Sequence, residues 1–121
     1  MIEDELREFL AQYTTVPVYS RQLPPDLPES YCIQEIGGRT SNANLRRAVH
    51  FISIMACSDR LERARELLNE ARNIYTTELP AEIGTKHYYY GVPLAEGAIK
   101  MRASRGPAYI LHATMEVTRE L

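Results

Sequence analysis

The 121-residue sequence predicts an α+β domain: a mostly antiparallel sheet of about four to five strands packed against two amphipathic helices. Three observations carry this expectation. Apolar residues recur at helical spacing in two separate stretches, strand-like runs are grouped after each of them, and the connections between neighbouring runs are of hairpin length. Strands grouped in this way pair antiparallel more readily than strands that alternate with helices.

Ile2, Leu6, Phe9, Leu10 and Tyr13 mark one face of the opening segment, with charged residues between them, so an amphipathic helix is expected there. Val16 to Ser20 is a short first strand. Its Pro17 cannot donate to a ladder, which favours an edge. Leu23-Pro-Pro-Asp-Leu-Pro28 is expected to be an extended surface connection. Tyr31 to Ile36 is a second strand, ended by Gly37-Gly38, and a polar loop to Asn44 leads to a third strand from Arg47 to Cys57.

Ser58-Asp59, with Glu62 near the capping-box position, predicts a helix start. Leu61, Ala64, Leu68, Ala71 and Tyr75 then share one face, and Pro80 closes the segment. Beyond Lys86 the helical period disappears. Tyr88 to Tyr90 and Ala98 to Ala103 read as strand pieces around a Gly91-Val-Pro93 turn, and Ser104 to Pro107 is a further turn. In the last strand, Tyr109 to Thr118, the positions Tyr109, Leu111, Ala113, Met115 and Val117 alternate with His112, Thr114, Glu116 and Thr118.

Hydrophobic residues make up 45% of the chain and charged residues 25%, ordinary values for one globular domain spanning residues 1–121. No apolar run reaches the roughly 20 residues of a membrane helix, and the start Met1-Ile-Glu-Asp-Glu5 is acidic, so a cytosolic site of synthesis is expected. Cys32 and Cys57 lie in apolar strand-like runs, where free buried thiols are expected. The net charge of -2 offers no field that draws the chain to nucleic acid, and Lys86-His-Tyr-Tyr-Tyr90 is the nearest approach to a basic aromatic patch.

The usual signatures of chemistry are missing. His50, His87 and His112 are scattered, with no Cys-x-x-Cys and no helical His pair, so no metal or other cofactor is expected. There is no nucleophile elbow, and Gly37-Gly38-Arg39 precedes neither a helix nor a Gly-Lys-Ser/Thr phosphate cradle. No catalytic residue is nominated.

The third strand is unusual because both of its faces are apolar. Val49, Phe51, Met55 and Cys57 lie on one face, and Ala48, Ile52, Ile54 and Ala56 on the other. With one helix on each face a monomer would be self-sufficient. The connectivity instead places both helices on one side, so another subunit or a folded-back loop is expected to cover the rest, with Ile52 and Ile54 as interface candidates. Arg39, Arg46 and Arg47, and Lys100, Arg102 and Arg105, occur without nearby acids and join the list. Twelve of the fourteen cations are arginine, which suits bidentate protein contacts. Tyr88 and Tyr90, expected on one strand face, complete the candidate interface.

An amphipathic N-terminal helix, strands over Tyr31 to Ile36 and Arg47 to Cys57, a helix from Ser58-Asp59 and a late Gly106-Pro-Ala-Tyr-Ile110 before the closing strand resemble the small minor capsid and tail terminator proteins of long-tailed bacteriophages. The resemblance covers most of the chain and rests on layout, length and the Gly-Pro turn. It implies a structural protein with no catalytic residues, acting in the virion at the head-tail junction. It also implies a ring of six copies, with a tail-tube protein and a head-completion protein as partners and DNA passing through without specific binding. Residues 38–44 and the proline-rich segment would then be arms toward a neighbour. Two rivals are a small-molecule-binding or regulatory α+β domain, with the tyrosine-rich segment lining a pocket, and an enzyme with an unfamiliar site.

Overall fold

The computed structural model describes residues 1–21, 29–38, 46–99 and 109–121, and for 95–99 the backbone alone. The proline-rich connection, the polar loop beyond Gly38, the turn at Ser104 to Pro107, and the candidates Arg39, Lys100, Arg102 and Arg105 lie outside the described residues. The elements in chain order are α1 (Ile2–Ala11), β1 (Val18–Ser20), β2 (Glu29–Gly38), β3 (Arg47–Ser58), α2 (Leu61–Thr77), β4 (Ala81–Ile83), β5 (Lys86–Ile99) and β6 (Tyr109–Glu120).

The strands form one six-stranded sheet in the order β1-β2-β3-β6-β5-β4. All neighbours are antiparallel except β1 and β2, which run parallel, with Val18 opposite Tyr31 and Ser20 opposite Ile33. The α+β expectation therefore holds in a mixed sheet with more strands than expected. Two of the additional features have plain causes. β4 is only three residues long, too short to show a period of two, and three-residue β1 carries no signal in the sequence of its pairing direction.

Both helices lie on the same side of the sheet. Ile2, Leu6, Phe9 and Leu10 of α1 and Ala64, Leu67, Leu68, Ala71 and Tyr75 of α2 join a single core with Tyr31 and Ile33 of β2, Ile52, Ile54 and Ala56 of β3, and Leu111, Ala113, Met115 and Val117 of β6. Two buried tyrosines tie the layers together. The Tyr31 hydroxyl donates to the Leu67 carbonyl at 2.6 Å, linking β2 to α2, and the Tyr75 hydroxyl donates to the Leu6 carbonyl at 2.6 Å, linking α2 to α1. Burial pushes both phenols well above their usual range.

The start of α2 differs from the expected capping box. The N-cap is Arg60 without a side-chain cap, and the Ser58 hydroxyl accepts from the Arg60 N–H at 3.2 Å instead. Close packing continues at the helix C-terminus. Gly91 of β5 faces it, and a Cβ there would come within 2.8 Å of the Tyr75 carbonyl oxygen, so only glycine lets strand and helix approach this closely.

β5 corrects the sequence reading most sharply. The expected turn at Gly91-Val-Pro93 is uninterrupted strand, paired with β6 from Tyr88 opposite Arg119 to Ile99 opposite Ile110, with irregularities between Tyr88 and Tyr90 and between Pro93 and Ala95. Proline is tolerated there because β4 covers β5 only at Lys86 to Tyr88, so from Tyr89 onward the other side of the strand is an open edge among the described residues.

Candidate assembly interface

The third strand is two-faced, as its sequence shows, but the roles of its faces are the reverse of those expected. Ile52 and Ile54 are 1% and 0% exposed and belong to the core under α1 and α2, so they are not interface residues. The reason is that the helices occupy the Ile52, Ile54 and Ala56 side. The opposite face carries Val49, Phe51 and Met55, each half-buried, together with the buried Ser53 and Cys57.

Strand register extends this outer face across the sheet. Phe51 lies opposite Glu116 of β6, which lies opposite Val92 of β5, and Val49, Thr118 and Tyr90 form the next row. Ile36, placed in the β2 irregularity between Glu35 and Gly37, is exposed beside this row. At the β5 end three apolar side chains are exposed: Tyr90 at 48%, Val92 at 40% and Leu94 at 48%. Clustered exposed apolar side chains such as those at the β5 edge mark contact surfaces on a folded domain.

The irregularity between Tyr88 and Tyr90 separates two side chains expected on one face. Tyr88 turns inward and is fully buried. Its hydroxyl donates to Glu5 Oε1 at 2.6 Å, and Arg119 also donates to that oxygen at 3.0 Å. Tyr88 is therefore a core residue, and Tyr90 alone of the pair stays a candidate. Burial, then the Glu5 hydrogen bond, push the Tyr88 phenol upward. The three tyrosines thus diverge instead of lining one pocket. The Tyr89 ring is covered by the Arg47 guanidinium 4.0 Å from its centroid and meets His87 edge-on at 4.7 Å.

Arg47 is half-buried by that stacking, whereas Arg46 is exposed in a left-handed backbone conformation with φ 54, its carbonyl accepting the Leu121 N–H at 2.9 Å. Exposed Val92 and Leu94 are absent from the sequence-derived candidates because Gly and Pro around them signal a turn. The alternation of Val49, Phe51 and Met55 was the usable signal for the outer face.

Other chemistry is sparse. Among the described residues no three His, Cys, Asp or Glu side chains come together to hold a metal ion. Cys32 and Cys57 are both free and fully buried, and burial raises both thiols, Cys32 to about 11. On the helix side, an open hollow of about 450 Å³ lies beside the segment leading into β1, lined by Tyr13, Thr15, Val16, Arg63 and Glu70 among others. Arg63 is held there by a two-point contact with Glu29 at 3.1 and 3.4 Å.

With this geometry in view, the fold has a counterpart among solved structures. The chain is similar to a chain of the virion of a native gene transfer agent particle, with a TM-score of 0.60 and 14% sequence identity, over 98% of this chain and 90% of that one. At that identity the likeness is one of fold. No protein-family model matches the sequence. No curated protein matches it either.

Proposed function

We propose that this chain is a non-enzymatic structural protein of a phage or prophage-derived virion, in which copies of it close the tail tube at the head-tail junction as a ring, six-membered as the family resemblance implies. The observation that carries this reading is the fold likeness to a virion chain, which spans nearly the whole length of both chains and not a shared motif. The likeness supports the same class of protein that the order of elements in the sequence suggests.

The packing supports assembly on independent grounds. Both helices lie on one side, and beyond the helix layer Ile36 of β2 and Tyr90, Val92 and Leu94 of β5 stay exposed for contacts. Copies of the chain and a tail-tube protein are the partners this reading assigns. The virion is the location this reading assigns; among the described residues no helix is long and apolar enough to cross a membrane.

Native mass measurement over a range of concentrations, with and without a tail-tube protein and with added magnesium, tests the proposal. A closed ring, seen as an annulus by electron microscopy, is expected. A strict monomer under every one of these conditions overturns it.

A further inference from the structure

We draw no further inference here: the strongest candidate, the exposed apolar flank of β5 at Tyr90, Val92 and Leu94, carries nothing because no feature of the structure shows what covers it.

Discussion

The Tyr88 hydroxyl donates to the Glu5 carboxylate at 2.6 Å, across a separation of 83 residues, and so fastens the first helix to the fifth strand. Arg119 of β6 donates to the same oxygen at 3.0 Å and lies 3.3 Å from the Tyr88 hydroxyl, so three elements meet at one carboxylate. Hydrogen bonds to charged groups are stronger than neutral ones, and Tyr88 is wholly buried. Tyr88→Phe is expected to destabilise the fold by about 2 kcal/mol. Urea unfolding followed by circular dichroism measures it, with an unchanged m-value expected.

Gly91 is the position where a single methyl group does most harm at the helix-strand contact. A Cβ there meets the Tyr75 carbonyl oxygen at 2.8 Å and the Met115 side chain at 3.1 Å. Met115 can move, but the backbone carbonyl cannot without shifting the end of α2. Gly91→Ala is expected to cost about 1–3 kcal/mol, read as a lowered thermal midpoint. Gly37→Ala is the control, because its nearest neighbour is the Phe51 ring at an ordinary 3.8 Å.

The contrast between these two glycines indicates what the sequence could and could not reveal. Both sit in strands and look alike as letters, yet one is required by a helix that is distant in sequence. Periodic elements were legible: Leu6 and Phe9 in α1, Ala64 and Tyr75 in α2, and Leu111 to Val117 in β6 all lie buried where their spacing places them. The two apolar faces of β3 were legible as well, but alternation is symmetric and says nothing about which face the helices take, so Ile52 and Ile54 were assigned to the wrong side. The candidate contact residues Val92 and Leu94 were hidden for a different reason. Gly91 and Pro93 are turn formers in most contexts; inside β5, Gly91 is admitted by its close approach to α2, and Pro93 by the edge that short β4 leaves open among the described residues.

Ile54 offers a direct check on that corrected assignment. It is 0% exposed and packs in the core between β3 and the helices. Ile54→Ala is expected to lower stability by about 2–5 kcal/mol through a cavity. The oligomeric state of the fraction that remains folded is expected to be unchanged, as sedimentation velocity would record, because this side chain faces no neighbour.

Acid sensitivity has an identifiable local source in Asp4. The Ser20 hydroxyl donates to its carboxylate at 2.8 Å and Arg21 donates at 3.3 Å, and these hydrogen bonds, Ser20 first, hold its pKa below the usual 3.8. A depressed carboxylate contributes stability that is present above its unfolded value and is lost as pH falls through the folded one. The window is therefore below about pH 4, not near neutrality. Ser20→Ala is expected to raise the Asp4 pKa toward its ordinary value, as a side-chain carboxyl NMR titration would show, while stability at pH 7 changes little because the pair is exposed to solvent.

The two cysteines give a prediction that depends on burial alone. Cys32 and Cys57 are both 0% exposed on the outer side of β2 and β3, and burial is the first cause of the raised pKa of each thiol. Thiolate is the reactive form, and Cys32, at about 11, holds almost none at neutral pH. A group whose charged form is disfavoured by burial must wait for the sheet to open before it reacts. Ellman's reagent at pH 8 is therefore expected to label neither cysteine in the native protein over the period in which denaturant exposes both. Rapid labelling of one native thiol would mean that β2 or β3 separates locally from its neighbour, and the outer face would then be a mobile surface instead of a fixed one.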